Sequence, residues 1–376
     1  MATRTAKKTA KKTAVKTTAK RAAAKKTAAK TTAAKTTAAR RKPAKPAGAD
    51  ELSEDTRLGL YRQVVRLRKF EERAYRLFME GLVKGTSHLS LGMEAVAAGV
   101  AEALREDDLT FCTYRGHAHT LARGTPMDGV MAELLGRANG VCAGKGGSMH
   151  LTSVEHGVMG SYAIIGAHLP IATGAAWSAQ LRGSDQVTVC FFGDGATNIG
   201  AFHEALNLAV VWKLPVIFVC ENNLWMEYTP IDSVTAVEHP AADRAAAYGL
   251  DKIVVDGNDP EAVHLAAKAA VDKARAGDGP TMFEAMTYRH GGHSRADPGD
   301  YRPKEEVEAW LAKDPLPFYR KRLEDLGIAA DVLDEIEQRA QADVDAATEA
   351  ARNGPLPDIE SAFTDVWADG GSSWRN

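Results

Sequence analysis

The sequence predicts an α/β protein with a doubly wound, mostly parallel sheet that carries helices on both faces. Short apolar runs that predict strands occupy residues 187–192, 215–220, 252–255 and 281–286. The first two runs do not alternate with polar residues, which is typical of strands buried on both faces. Between them, apolar residues recur at three- and four-residue spacing from Ile199 to Val210, which predicts a helix. Strand, helix and strand in succession indicate a βαβ unit and hence parallel strands.

The first 49 residues differ in composition from the rest of the chain. They are almost entirely Ala, Lys, Thr and Arg, with 12 Lys, 4 Arg and no acid before Asp50. The rest of the chain therefore contains 31 basic and 49 acidic residues. A net charge of −2 thus combines a tail charge near +16 with a body charge near −18. We expect a disordered tail over residues 1–49. Residues 50–376 are predicted to form one α/β domain with a carboxyl-terminal helical extension.

Three interpretations of this tail stay open. It is a solvated, self-repelling extension that lies on the acidic body or on a partner, or it binds nucleic acid electrostatically, as lysine-rich linker-histone tails do. Mitochondrial transit peptides are also poor in acids, but they favour Arg and Ser, whereas Lys dominates here. No apolar h-region and no run of 18 apolar residues appears in the sequence, so we expect neither secretion nor a membrane span. We expect a bacterial cytoplasmic protein, with the mitochondrial matrix as the alternative.

The remaining elements follow in chain order. A short strand is predicted from Thr110 to Thr113, and residues 136–170 form a glycine-rich stretch that we interpret as a functional loop. Asp259-Pro260 begins a helix between the last two strands. The helix at residues 53–80 has one apolar stripe and is predicted to face solvent on its other side. Further helices are predicted at residues 93–104, 171–182, 303–313, 317–326 and 330–353, of which the last three look structural.

The four cysteines show no CxxC spacing and lie in apolar or strand-like surroundings. Reduced, mostly buried thiols in a cytoplasmic protein explain this pattern better than a zinc site does.

The central βαβ unit brings Asp194 and Asn223 to the carboxyl ends of neighbouring strands, where open α/β sheets bind ligands. A carboxylate and an amide oxygen suit a hard divalent cation that keeps water and phosphate as further ligands. Gly193 and Gly195 let the main chain approach a diphosphate, and the following helix N-terminus favours negative charge. A lone Gly-Asp-Gly is also an ordinary turn. Gly-Asp-Gly followed by Asn-Asn after 26 residues, however, resembles the diphosphate-binding motif of thiamine diphosphate enzymes.

A Tyr-Arg pair follows two of the predicted strands. Tyr114-Arg115 follows the early strand, and Tyr288-Arg289 follows the last one, with His290 and His293 after it. The guanidinium fork matches phosphate oxygens, although a single Arg is more often a solvated surface charge. Lys145 lies in a glycine-rich segment that lacks the spacing of a nucleotide-triphosphate loop.

With these motifs and the segment GKGGSMH, residues 55–360 are similar to one family. They resemble the alpha chain of the thiamine-dependent decarboxylating component of 2-oxo acid dehydrogenase complexes, most closely that of pyruvate dehydrogenase. The resemblance implies the thiamine diphosphate-binding fold. It implies Mg²⁺ held by Asp194, Asn223 and the main-chain carbonyl of Trp225. It also implies that the cofactor is contacted by these three residues and by Tyr114, Arg115, Ala163, Ile165, Gly195, Ala196, Arg289 and His293.

His88 and His293 match histidines near the reacting carbon in this family and are the candidate catalytic residues. An imidazole titrates near the operating pH, so each is a candidate to donate a proton or to polarise a carbonyl. The alternative for each is hydrogen-bonded support of a loop. Ser294 aligns with a serine that a kinase phosphorylates in mitochondrial members, a control that is not expected in a bacterial protein.

The resemblance implies oxidative decarboxylation of pyruvate, with acetyl transfer to a lipoyl group of an acyltransferase partner. The carboxylate that activates the cofactor comes from a separate beta subunit in this family, and no second sheet domain follows residue 290. We therefore expect an α2β2 heterotetramer. Thr86 and the order His290-Gly291-Gly292 depart from the pattern of the family and leave the substrate open. The alternatives are an alpha subunit of acetoin or branched-chain 2-oxo acid dehydrogenase, or a non-enzymatic module that binds nucleic acid or a partner through its basic tail.

Overall fold

A computed structural model describes residues 52–365, so the predicted tail at residues 1–49 lies outside the described residues. The strands are β1 (Leu109–Thr113), β2 (Val158–Tyr162), β3 (Thr188–Gly193), β4 (Val216–Asn222), β5 (Asp251–Asp256) and β6 (Thr281–Met286). The helices are α1 (Glu54–Met79), α2 (Glu94–Ala101), α3 (His117–Ala122), α4 (Met127–Leu134), α5 (His168–Leu181), α6 (Gly200–Val211), α7 (Ala242–Ala245), α8 (Pro260–Arg275), α9 (Lys304–Leu311), α10 (Pro315–Asp325) and α11 (Ala330–Arg352).

The six strands form one sheet in the order β2-β1-β3-β4-β6-β5. Every strand pairing in residues 52–365 is parallel, which confirms the predicted α/β class. From β1 the chain adds β2 on one side and β3 on the other. The boundary between β1 and β3 is therefore a topological switch point, and a crevice is expected at the carboxyl ends of these strands.

Both faces of the central strands β3 and β4 are buried, as their apolar runs predict, whereas the edge strand β5 is largely exposed. Cys190 and Phe192 of β3 and Phe218 of β4 pack on one face with α5 and α6. The alternate residues Phe191 and Val219 pack on the other face with α2 and α8. This alternation follows from the two-residue period of a strand, and it explains why the central strands consist almost entirely of apolar residues.

Helix α1 packs on two sides, which differs from the predicted solvent-facing helix. Phe70 and Leu77 belong to a cluster with α4 and α11, whereas Tyr61 and Val65 belong to a second cluster with α10 and α11. The carboxyl-terminal helices therefore cover a face of α1 that its many charged residues suggested was solvated. The exposed part of the helix is correspondingly small.

Strand β2 lies inside the glycine-rich stretch that we interpreted as a loop. Its sequence, VMGSY, has no apolar run, and pairing with β1 is what makes it a strand. Ile164 and Ile165 lie after this strand rather than in it. The cysteines are free thiols, with Cys112, Cys190 and Cys220 buried. No helix in the described part of the chain is long and apolar enough to cross a membrane.

Candidate active site

A cavity of about 650 Å³ opens at the carboxyl edge of the sheet. Its lining comes from the segments that follow β1, β2, β3, β4 and β6, together with the segment before α2. It includes every candidate site residue predicted from the sequence, namely His88, Tyr114, Arg115, Ala163, Ile165, Asp194, Gly195, Ala196, Asn223, Trp225, Arg289 and His293. Residues that are up to 205 positions apart in the chain thus line one crevice at the switch point of the sheet.

Asp194 follows β3 directly, and Asn223 follows β4. The two strands are in register up to Gly193 and Glu221, so the two side chains leave the sheet at adjacent points. Asp194 Oδ1 accepts a hydrogen bond of 2.7 Å from the Gly195 main-chain N–H, but its buried Oδ2 has no hydrogen-bond partner in residues 52–365. Burial raises the pKa of this carboxyl to about 7.

A buried carboxylate oxygen without a partner destabilises a protein unless a cation or a donor satisfies it. The amide oxygen of Asn223 accepts only a 3.2 Å bond from the Trp225 main-chain N–H, and it has a second lone pair. Together with a main-chain carbonyl, these oxygens are the ligands that a hard divalent ion such as Mg²⁺ prefers. The residues present therefore fit the metal that the resemblance implies.

Two glycines beside Asp194 have different surroundings. A Cβ built on Gly193 would meet no protein atom within 4 Å, so this position opens into the cavity and lets a ligand approach the main chain. A Cβ on Gly195 would lie 3.0 Å from Cγ of Met226. Gly195 therefore allows the loop after β4 to approach closely.

Arg115 and Arg289 bring two buried positive charges to the cavity. Arg115 donates to the main-chain carbonyls of Leu89 and His293, and Arg289 donates to the carbonyl of Met226. Neither guanidinium forms an ion pair with a carboxylate in the described part of the chain. Burial lowers the pKa of both side chains, and Arg115 lowers that of Arg289 further. Two buried cations that no carboxylate of the described residues contacts favour an anion such as a diphosphate.

His88 and His293 lie next to each other at the rim, with ring centroids 5.0 Å apart, and the tilted ring of Tyr114 packs against His88 with centroids 4.3 Å apart. Burial, followed by the charge of Arg115, lowers the pKa of both histidines, that of His293 to about 4. Both are therefore neutral at pH 7. Arg289 Nη1 lies 3.3 Å from His293 Nδ1. Because a guanidinium can only donate, this nitrogen accepts and the proton of His293 is on Nε2.

A buried hydrogen-bond chain behind His88 was missed by the sequence interpretation. Glu71 of α1 contacts His117 Nδ1 at 2.9 Å, and His117 Nε2 contacts Ser148 Oγ at 2.8 Å. Ser148 in turn lies 2.9 Å from Ser87, the residue before His88. The chain fixes the segment that carries His88. A charged residue within the apolar stripe of α1 was the only sequence signal for it.

The glycine-rich segment before β2 has a structural organiser. The fully buried Glu133 of α4 accepts hydrogen bonds from four main-chain N–H groups, at 2.7 to 3.0 Å, donated by Cys142, Gly144, Gly146 and Gly147. Lys145 points away from Glu133 and contacts Thr364. Our interpretation of this stretch as functional therefore applies to its last part, where Met149, Ala163 and Ile165 line the cavity.

Comparison with known proteins agrees with this geometry. Residues 62–360 match the family model described as the dehydrogenase E1 component. The chain is 42% identical over 317 residues to the alpha subunit of acetoin:2,6-dichlorophenolindophenol oxidoreductase from Bacillus subtilis, covering 84% of this chain and 95% of that one.

Two further relatives are E1 alpha subunits of pyruvate dehydrogenase. The protein from Porphyra purpurea is 42% identical over 329 residues, covering 85% of this chain and 94% of that one. The protein from Rhizobium meliloti is 40% identical over 332 residues, covering 86% of this chain and 95% of that one. This family implies thiamine diphosphate as cofactor and a beta subunit as partner. The chain belongs to the dehydrogenase E1 component family, as an alpha subunit of the 2-oxo acid dehydrogenase type.

Proposed function

We propose that this chain is the alpha subunit of a pyruvate dehydrogenase and catalyses, with its partner, the thiamine diphosphate-dependent oxidative decarboxylation of pyruvate. The acetyl group is transferred to a lipoyl group of an acyltransferase component. One observation carries the proposal. One cavity at adjoining strand ends contains a buried Asp194 carboxylate oxygen that has no hydrogen-bond partner in residues 52–365. The same cavity contains the guanidiniums of Arg115 and Arg289, which form no ion pair with a carboxylate in these residues. This charge arrangement suits a diphosphate bound together with a divalent cation.

In this proposal Asp194, Asn223 and the main-chain carbonyl of Trp225 hold Mg²⁺. Arg115 and Arg289 neutralise the phosphate oxygens, and Gly193 leaves room for them. When bound, thiamine diphosphate supplies the nucleophilic carbon and accepts the electrons that decarboxylation releases. The residues of this chain position the reactants and exclude water from the crevice.

The two rim histidines handle protons in this mechanism. Because His293 accepts from Arg289 at Nδ1, its Nε2–H can donate to a developing negative charge on the substrate carbonyl oxygen. Burial keeps His88 neutral, and its buried Nδ1 has no partner in residues 52–365. A neutral His88 can accept a proton or take up a hydrogen bond from the substrate. The ring of Tyr114 packs against the ring of His88 in a tilted arrangement and helps to hold it in place.

A partner is supported by the outer surface of α5 and α6. The sequence of α5, HLPIATGAAWSAQL, contains no Asp, Glu, Lys or Arg, and a helix that is apolar all round is normally covered. Trp177 stacks on Trp212 with ring centroids 4.9 Å apart, and both remain about 40% exposed, beside exposed Leu181 and Val211. We propose that this apolar face, which starts at Ile171 near the cavity, is covered by the beta subunit of an α2β2 assembly.

Coexpression with the companion beta chain tests the proposed reaction. The purified assembly is supplied with thiamine diphosphate and Mg²⁺, and turnover of pyruvate, branched-chain 2-oxo acids and acetoin is compared. Pyruvate should give the highest kcat/KM. The Bacillus subtilis relative makes acetoin the main alternative, and faster turnover of acetoin would replace pyruvate as the substrate. If none of the three is turned over and the cofactor does not bind, the enzymatic proposal is wrong.

The basic tail is tested separately by deleting residues 1–49. Unchanged turnover together with lost retention on DNA would assign the tail a nucleic-acid contact of its own. Unchanged turnover and unchanged DNA retention would remove that interpretation.

A further inference from the structure

The loop that supplies two of the proposed metal ligands contains a strained residue. Leu224, between Asn223 and Trp225, has a φ of +70°. For a bulky residue other than glycine, this left-handed conformation is strained. Such a conformation persists only where the surrounding contacts hold it. The contacts of this loop must therefore supply that support.

The main-chain contacts account for part of this support. The Leu224 N–H donates to Asn222 Oδ1 at 3.1 Å, and the Leu224 carbonyl accepts from the Ile231 N–H at 2.9 Å. These bonds close the loop on itself. They leave open how the loop is oriented relative to the rest of the protein.

Arg289 holds the loop from outside at the Met226 carbonyl, and the side chain of Trp225 supplies a further anchor. It is buried, and its indole Nε1–H donates to Glu306 Oε1 at 2.6 Å. Tyr288, at the end of β6, donates to the same carboxylate oxygen at 2.7 Å, and its ring stacks on Trp310 with centroids 5.4 Å apart. Glu306 and Trp310 both lie on α9. One carboxylate therefore ties the loop after β4 and the segment after β6 to the same helix.

We propose that Glu306 is a positioning residue for the metal site, an inference that rests on the proposed function. By fixing the indole of Trp225, Glu306 keeps Leu224 in the left-handed conformation. The loop then presents the Asn223 amide oxygen and the Trp225 carbonyl oxygen to the cation held by Asp194. A main-chain carbonyl ligand is indifferent to its own side chain in principle, but here the side chain of Trp225 sets the direction of the main chain.

The test is a calorimetric titration of the coexpressed αβ assembly with Mg²⁺ in the presence of thiamine diphosphate. Loss of a group that orients metal ligands weakens metal binding by about 10–100-fold, so Glu306→Ala should raise the Kd for Mg²⁺ at least about tenfold. Glu306→Gln keeps an oxygen acceptor for the indole and should retain most of the affinity. Trp225→Phe keeps the ring but removes the donor, and should behave like Glu306→Ala, which provides a second variant if the first does not fold.

Glu305→Ala is the matched control, because Glu305 is an exposed carboxylate on the same helix and should leave the Kd unchanged. Leu224→Gly removes the need for support of a strained residue, so Glu306→Ala should weaken binding less in that background. In steady-state assays the apparent KM for the cofactor should rise more than kcat falls. Wild-type affinity for Mg²⁺ in Glu306→Ala, or an equal loss in Glu305→Ala, would overturn the inference.

Failure of the inference is distinguishable from failure of the proposed function. If the wild-type assembly and its Asp194→Ala variant take up Mg²⁺ and cofactor equally, the metal site itself is wrong. If Asp194→Ala loses binding and Glu306→Ala does not, only the positioning role of Glu306 falls.

Discussion

Two regions of the molecule bury arginine side chains to the same extent but treat their charge in opposite ways. Arg68 of α1 is 7% exposed and donates to Glu94 at 2.5 and 3.0 Å and to Asp314 at 2.8 and 3.0 Å. Arg115 and Arg289, which are 5% and 2% exposed, donate to main-chain carbonyls and to uncharged side chains. In the first region two carboxylates contact the guanidinium directly. In the second, no carboxylate of the described residues contacts either guanidinium, and Glu221 and Asp194 act on them only at longer range.

This difference separates structural charge from functional charge. Burial alone lowers the pKa of an arginine, and at Arg68 the two carboxylates outweigh that effect and raise the pKa. At Arg115 nothing outweighs it, so the pKa is lowered. A protein retains an uncompensated buried cation at a cost to stability, and a bound anion removes that cost. The buried charge of the helical region is therefore neutralised by the protein itself. At the strand ends, a bound anion would neutralise the buried charge.

Removing Arg68 tests the helical region, where carboxylates neutralise the buried charge, and should have the largest effect on the free energy of unfolding. Arg68→Met leaves the buried carboxylate of Glu94 and the half-buried carboxylate of Asp314 without a counter-charge, so the free energy of unfolding should fall by about 3–5 kcal/mol. Urea denaturation measures this. Arg62→Met, at an exposed position on the same helix, should change it by no more than about 0.5 kcal/mol. A loss of less than about 1 kcal/mol at Arg68 would contradict the structural role that we assign to this ion pair.

Removing Arg289 tests the strand ends, where no carboxylate contacts the buried guanidinium in the described residues. Arg289→Met leaves no carboxylate unpaired, so the unfolding free energy of the cofactor-free protein should fall by less than about 2 kcal/mol. The affinity for thiamine diphosphate should fall at least about tenfold, because one charge-assisted contact is lost. Calorimetry on the coexpressed assembly measures this second quantity. Arg289→Lys, which keeps the charge without the fork, should be intermediate. Unchanged cofactor affinity in both variants would remove Arg289 from the site.

The two regions should also differ in their response to acid. Burial raises the pKa of Asp314, but hydrogen bonds from Arg68 outweigh it, so the folded-state pKa is lowered. The stability that Asp314 contributes is therefore present above its unfolded-state pKa of about 3.9 and is lost as the pH falls below it. His293 also has a lowered pKa, about 4, because of burial and the charges of Arg115 and Arg289. For a base this means that the unfolded state binds the proton first, and stability falls from pH of about 6.5 downward.

Unfolding measured from pH 7 to pH 3 separates these two contributions. His293→Gln should reduce the slope of the upper part of the curve, to which the buried His88 and His168 also contribute, and Arg68→Met should reduce the slope of the lower part. A bound diphosphate should also flatten the upper part, since its negative charge offsets Arg115 and Arg289. A curve that is the same in His293→Gln and wild type would show that His293 does not titrate as the structure indicates.

The smallest effect on the chain itself is expected at the apolar face of α5 and α6. Trp177→Lys places a charge where we propose that the beta subunit docks, so the αβ assembly should dissociate at lower concentration in sedimentation experiments. The unfolding free energy of the isolated chain should change by about 1 kcal/mol or less, because the side chain is already partly exposed. Gln338→Lys adds the same charge to an exposed position on α11 and should leave assembly intact. Unchanged assembly in Trp177→Lys would place the partner elsewhere.

The sequence predicts the central strands and the ligand edge because both depend on local pattern. The apolar runs around Asp194 and Asn223 correspond to β3 and β4, and the residue that follows a parallel strand must lie at the carboxyl edge. Arg115 and Arg289 were found in the same way, as charges directly after strands. Strand β2 was missed because its Gly and Ser give no apolar run. Its identity as a strand comes from pairing with β1.

The supports of the site could not be predicted, because they depend on packing between distant segments. Glu306 is one of several acids in an amphipathic helix that looked structural, and only the fold brings it to Trp225 and Tyr288. Glu71 likewise lies in a helix with many charges. The insertion of β6 between β4 and β5 also has no local signal. Sequence patterns therefore locate the groups that line the cavity better than those that hold them in place.

Calorimetry on the coexpressed assembly with Asp194→Asn tests the central claim most directly. The substitution keeps the shape of the side chain and removes the charge that a cation would satisfy, and Asp232→Asn provides a control. We predict that Asp194→Asn raises the Kd for Mg²⁺ and thiamine diphosphate by at least about 100-fold, since a direct ligand is lost. The cofactor-free protein should be no less stable, because the carboxylate is buried without a partner for Oδ2. Binding as tight as in the wild type would contradict the account.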